Sequence, residues 1–213
     1  MVVGPEKLAA EVGLSILKGG GNAIDAAVAT GFALAVTYPR AGNLAGGGFM
    51  LIHHEKDKRQ TLIDYRETAP LDSRPDMFLD ESGKIDRTRT YFSHLAAGVP
   101  GTVAGLIMAH ARYGSLPLKA VIEPAIKLAE EGFPVSYALN YEINARAKRL
   151  AKNSEAASLF LTAEKLAPPI GSIFKQSDLA NTLKRIAENG AAGFYRGLTA
   201  QLITQEMQTA GGI

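Results

Sequence analysis

At 213 residues, 46% of them apolar, the chain is long enough to bury a core and fits a single domain over residues 1–213. Its formal net charge of +2, with both signs interspersed, leaves no basic stripe for nucleic acid or an anionic membrane surface. Zero cysteines exclude a disulfide framework, a thiol nucleophile and a cysteine metal site, and no signal peptide of the Lys/Arg-led apolar type opens the chain.

In chain order, Met1-Val2-Val3 is predicted as a strand, and Gly4-Pro5 leads into a helix, since proline suits a first helical turn. Leu8, Val12 and Ile16 recur every four residues, and Gly19-Gly20-Gly21 stops that helix. Asn22 caps the next one, with Asp25 three residues on, where a carboxylate favours the positive helix end. From Ala26 to Tyr38 the sequence is almost wholly apolar. Shorter than the roughly 20 residues that cross a bilayer, it reads as a buried core helix whose alanines allow close packing on a sheet.

Gly46-Gly47-Gly48 then lets backbone approach another backbone or a ligand. Phe49 to Ile52 and Thr61 to Tyr65 are apolar runs joined by the charged segment Glu55 to Arg59, a hairpin pattern. Arg66 falls where the second run ends, and Pro70 takes the chain out of regular structure. A guanidinium at a strand end beside a glycine-lined surface is placed to grip a carboxylate through two parallel hydrogen bonds. The competing use of that charge is an ordinary ion pair with Glu67 or Asp64.

Ser73 to Arg89 is polar and loop-like apart from Met77-Phe78-Leu79, and Gly98 to Gly101 reads as a tight turn feeding a helix that runs to about Tyr113. Pro117 to Glu131 is helical, interrupted or restarted at Pro124. Ser136 to Phe160 is mostly helical, with Arg146-Ala147-Lys148-Arg149 as a solvated face, and Pro168 to Gly171 breaks the chain. Leu179, Leu183 and Ile186 line a helix that Gly190 stops, and Leu198, Leu202, Ile203 and Met207 line a last one ending at Gly211-Gly212.

Several other chemistries are weak on spacing. The glycine cluster matches neither phosphate-binding glycine motif. His53 and His54 alternate along a strand and so face opposite ways, poor geometry for one metal. Ser93 and His94 are too close to form a Ser-His catalytic pair, and His110 stands alone.

The stretch Gly42-Asn43-Leu44-Ala45-Gly46-Gly47-Gly48-Phe49-Met50-Leu51, followed by Asp64-Tyr65-Arg66-Glu67-Thr68-Ala69-Pro70, resembles the large-subunit signature of the gamma-glutamyltranspeptidases, or glutathione hydrolases. Gly20 to Val28, His94 to Gly105 and Ala129 to Phe133 are similar to further family segments, so that the resemblance runs in order from about Met1 to the last residue. Ala45 departs from a fourth glycine common in the family, a change that matters only if its backbone needs a positive φ.

The resemblance implies an α/β fold: part of an αββα N-terminal-nucleophile hydrolase sandwich, incomplete in this chain, whose sheet needs strands from the missing half. It implies transfer of the γ-glutamyl group of glutathione and related compounds to water, an amino acid or a dipeptide, through a threonine acyl-enzyme and without a metal or organic cofactor. In the family that threonine is exposed by self-cleavage within a Thr-Thr-His or Thr-Ser-His context, which does not occur here, and Thr102 lies in a segment the family uses as scaffold. The chain is therefore expected to be an N-terminal portion of the large subunit, without the nucleophile and inactive alone. In it Arg66 would bind the α-carboxylate of the γ-glutamyl group. Its expected partners are small-molecule γ-glutamyl compounds, the remainder of the large subunit and the small subunit, with neither nucleic acid nor membrane. The resemblance also implies a periplasmic or extracellular location. A cephalosporin or poly-γ-glutamate acylase, or a non-catalytic γ-glutamyl-binding remnant, is the alternative.

Overall fold

Alternation, caps and glycine stops give the chain, in a computed structural model describing residues 1–213, ten α-helices and four short strands. The first half contains α1 (Lys7–Lys18), α2 (Ala23–Thr37), β1 (Phe49–His54), β2 (Arg59–Asp64), α3 (Arg87–Phe92) and α4 (Thr102–Tyr113). The second contains α5 (Leu118–Glu131), β3 (Phe133–Pro134), α6 (Tyr137–Leu150), α7 (Ser154–Phe160), β4 (Ile173–Phe174), α8 (Ser177–Asn189), α9 (Ala192–Tyr195) and α10 (Gly197–Thr209). Residues 1–43 with 114–187 form one unit, and residues 44–113 with 188–213 form another. No helix is long and apolar enough to cross a membrane.

The first unit is built on α2. The Asn22 side chain accepts from the backbone N–H groups of Ile24 and Asp25 at 2.8 and 3.0 Å, while Asp25 accepts from the Asn22 N–H at 2.8 Å. This reciprocal capping box satisfies donors that a helix start otherwise leaves open. α2 has apolar residues all round because α1 and α5 both pack on it, and Val28, Phe32 and Val36 are fully buried. At Gly13 of α1 a Cβ would lie 2.3 Å from the Thr30 hydroxyl oxygen, so the α1–α2 crossing depends on its absence.

Three expectations are corrected here. The apolar stretch Ala26 to Tyr38 packs within this unit on helices and not on a sheet, its alanines admitting close helix neighbours. Met1 to Val3 pairs with no strand. Pro124 does not interrupt α5, because it costs one hydrogen bond while Val121, Ile122, Ala125 and Ile126 are buried on either side of it. The two-residue strands β3 and β4 pair antiparallel, Phe133 opposite Phe174, and the Phe174 ring meets Phe133 edge-on at 5.9 Å and stacks on Phe160 at 5.7 Å.

The second unit holds the expected hairpin. β1 and β2 pair antiparallel with Phe49 opposite Asp64 and His54 opposite Arg59. The pleat sends Ile52 and Ile63 inward, where both are buried, and sends Phe49, Leu51 and Leu62 outward, 57%, 68% and 62% exposed. α4 packs on β2 from the inner side. At the turn, Lys58 takes a left-handed conformation with φ 54°.

Candidate functional site

The site is assembled where β2 ends. Tyr65 closes the ladder, donating its N–H to the Gly48 carbonyl at 2.9 Å and accepting the Gly48 N–H at 3.3 Å. A Cβ on Gly47 would lie 2.5 Å from the Tyr65 carbonyl oxygen, and one on Gly101 would lie 2.0 Å from the same atom. A Cβ on Gly105 would lie 2.2 Å from Tyr65 Cγ, and one on Gly98 would lie 2.9 Å from Glu67 Cβ. None of these glycines has a positive φ, so lack of space and not backbone conformation demands them.

The glycine clusters thus close on the segment Tyr65 to Glu67, Gly47 and Gly101 on its backbone and Gly98 and Gly105 on its side chains. Gly98 to Gly101, expected as a tight turn, is instead an extended approach: Thr68 and Val99 form an antiparallel bridge, with the Val99 N–H donating to the Thr68 carbonyl at 2.8 Å. Ala45, with no positive φ, tolerates its Cβ.

Arg66 follows directly. Its backbone N–H donates to Asp64 Oδ1 at 3.0 Å, and its guanidinium Nε lies 3.3 Å from Glu67 Oε2. The side chain is 63% exposed, so this ion pair sits in solvent and is worth at most about 1 kcal/mol. Arg66 and Glu67 border an open groove of about 560 Å³, whose other walls include Ser73, Met77, Phe78 and Leu95. That volume falls in the range of small-molecule sites. A carboxylate entering the groove can take both parallel N–H groups of the fork at little cost, because the bond it displaces is weak and exposed.

One tyrosine precedes the arginine, and a second braces the start of α4. The Tyr65 ring lies against Gly48 and Gly105, its hydroxyl 3.5 Å from the Phe49 carbonyl, and burial pushes its phenol above the ordinary value. The first turn of α4 is held from outside: the Gly101 and Thr102 N–H groups donate to the Gly46 carbonyl at 2.8 and 2.9 Å. The Tyr195 hydroxyl accepts from the Ala104 N–H at 3.2 Å and donates to the Pro100 carbonyl at 2.8 Å. Burial raises this phenol too, against a smaller lowering by the Ala104 N–H. Tyr195 belongs to no sequence motif and meets Ala104 from 91 residues away, so no local signal marks it.

The remaining candidates disperse. Thr102 is the first residue of α4, and its N–H is committed to Gly46. His53 pairs with Glu55 at 3.1 Å, while His54 contacts the Thr61 hydroxyl at 3.1 Å and the Tyr113 ring at 5.0 Å. The Ser93 hydroxyl donates to the Arg89 carbonyl, and His94 pairs with Glu206 at 3.0 Å. No group of three or more His, Asp or Glu side chains is arranged to hold a metal. A second depression, about 980 Å³, runs along the loop from Leu71 to Gly83 and shares Ser73, Arg74, Met77 and Leu95 with the Arg66 groove.

Residues 9–213 match the family model of gamma-glutamyltranspeptidase. The glutathione hydrolase proenzyme of Escherichia coli K12 is 47% identical over 213 residues, all of this chain and 37% of that protein. Among solved structures, the Helicobacter pylori gamma-glutamyltranspeptidase superposes with a TM-score of 0.97 at 44% identity, covering all of this chain and 61% of that one. The cephalosporin acylase of Bacillus halodurans is a more distant match, with a TM-score of 0.84 at 30% identity over 97% of this chain and 39% of that one. The chain spans well under half the length of such curated relatives, 37% in the Escherichia coli case.

Proposed function

Because the chain belongs to the gamma-glutamyltranspeptidase family, we propose that it carries the substrate-carboxylate anchor of a γ-glutamyl transferase or glutathione hydrolase whose nucleophile lies in polypeptide outside these residues. Its fold is α/β, part of the N-terminal-nucleophile hydrolase sandwich that its structural neighbours share. The observation that carries the proposal is the Arg66 guanidinium, displayed at the rim of a groove and engaged only by a neighbouring, exposed carboxylate.

In this reading a threonine hydroxyl attacks the γ-carbonyl of the substrate, and the tetrahedral intermediate collapses by expelling the amine, leaving an ester. Water or an acceptor amine then attacks that ester and frees the threonine. The γ-glutamyl group stays in place through both half-reactions, so Arg66 holds one carboxylate throughout and Glu67 is displaced once, on binding. An interaction of equal strength in the ground state and the transition state supports binding rather than the chemical step.

The test uses the complete, processed protein. Arg66→Ala should raise KM for a γ-glutamyl anilide by about a hundredfold, one decade being about 1.4 kcal/mol, with kcat little changed and self-cleavage intact. Arg66→Lys should recover only part of this, since an ammonium has no fork. An unchanged KM in Arg66→Ala removes Arg66 as the anchor. The acylase reading is weaker, resting on the lower identity of 30%, and predicts turnover of a cephalosporin amide in preference to the anilide.

A further inference from the structure

We propose that Tyr65 and Tyr195 are positioning residues for Arg66, a role that rests on Arg66 being the carboxylate anchor. The Arg66 side chain is 63% exposed and paired only with its neighbour Glu67, so its own contacts do little to aim it. Its direction is set by the backbone from which it springs. That backbone is enclosed at Tyr65, whose carbonyl faces Gly47, Gly48 and Gly101 and whose ring faces Gly48 and Gly105.

Gly101 and Gly105 are therefore the surface on which the arginine segment rests, one just before α4 and one in its first turn. The Tyr195 hydroxyl bonds to the residue preceding each of them, Pro100 and Ala104. One phenol thus ties down both glycines from α9, and in accepting from Ala104 it caps a first-turn N–H that the helix cannot satisfy internally. Tyr195 fixes α4, α4 fixes Tyr65, and Tyr65 fixes the origin of the Arg66 side chain. Neither tyrosine needs to touch substrate.

Tyr195→Phe keeps the ring and removes both hydrogen bonds. Gly105→Ala places a methyl group where the Tyr65 ring now lies and displaces the segment directly. Both act only through Arg66, so their effects must disappear when the arginine fork is gone. The experiment measures KM and kcat for a γ-glutamyl anilide in the complete, processed protein, with each variant alone and combined with Arg66→Lys. Tyr195→Phe is expected to raise KM by about five- to tenfold and Gly105→Ala by about tenfold or more, at 1.4 kcal/mol per decade, with kcat within about twofold. In the Arg66→Lys background each added rise should shrink below about twofold, the non-additivity expected of coupled residues. An unchanged KM in Tyr195→Phe overturns the inference. So does a full multiplicative rise in both backgrounds, which marks a structural role independent of Arg66. If Arg66→Lys itself leaves KM unchanged, the anchor assignment fails first and takes this inference with it.

Discussion

Asp25 is a carboxylate with no exposed surface, a placement that costs several kcal/mol unless its oxygens are satisfied. It accepts from the Asn22 N–H at 2.8 Å, the Ser115 hydroxyl at 2.6 Å and the Ser115 N–H at 3.0 Å, with the Leu116 N–H at 3.4 Å. Burial is the largest single influence and pushes its pKa upward. The Ser115 hydroxyl and the backbone N–H groups of Asn22, Ser115 and Leu116 together outweigh it, so the group titrates below its ordinary value. A pKa lower in the folded than in the unfolded state adds stability that is fully present above the unfolded value and is lost as pH falls through the folded one. Asp25→Asn turns an amide N–H₂ toward donors, and the complete protein should lose about 2 kcal/mol at neutral pH. That deficit should shrink progressively below about pH 4. Urea denaturation of both proteins across pH 3 to 7, approximately, reads it; a deficit that stays constant across the range sinks the account. The capping half of the Asp25 role is visible in Asn22-x-x-Asp25, whereas its grip on Ser115, 90 residues on, left no trace in the pattern.

At the scale of elements, the β1–β2 turn contains a test of backbone strain. Lys58 at φ 54° occupies a region in which a non-glycine residue loses roughly 1 kcal/mol or more, and a β-branched side chain fares worse still. Its ion pair with Glu55 is exposed at both ends and compensates little. Lys58→Val should lower stability by about 1 to 2 kcal/mol while Lys58→Gly leaves it unchanged or raised, as thermal denaturation will report. Equal midpoints for the two variants would contradict the geometry. The hairpin was readable because two apolar runs flank a charged loop. The turn conformation was not, since lysine carries none of the preference that glycine or asparagine would have announced.

At the scale of the molecule, the outward row of Phe49, Leu51 and Leu62 gives a two-stranded sheet an apolar face in solvent, and isolated two-stranded sheets are marginal. The relatives are longer than the matched region, which makes up 37% of the Escherichia coli protein. The expectation is that the outer face packs on that additional polypeptide. These 213 residues expressed alone should then self-associate, turn over no γ-glutamyl anilide and keep a constant mass. Leu51→Lys with Leu62→Glu, a cross-strand pair, should relieve the association of the isolated chain and weaken assembly of the complete protein. Analytical ultracentrifugation follows the first effect and recovery of processed subunits the second. A monodisperse, active wild-type fragment would refute the expectation.

What the amino-acid sequence determined by itself was local. The Asn22 and Asp25 cap, the Gly190 stop and the alternation that makes β1 and β2 all act between near neighbours, so they leave a period or a spacing. Arg66 is singled out as the proposed anchor by its place in an ordered series of segments, which marks a residue but not its surroundings. Tertiary structure decided that α2 lies among helices, that residues as brief as Phe133-Pro134 and Ile173-Phe174 pair as strands, and that Gly47, Gly101 and Gly105 make room for Tyr65. It also brought Tyr195 to Pro100 and Ala104. Each of these joins groups far apart along the chain through single contacts of shape or hydrogen bonding, and a single long-range contact has no periodicity for a sequence to display.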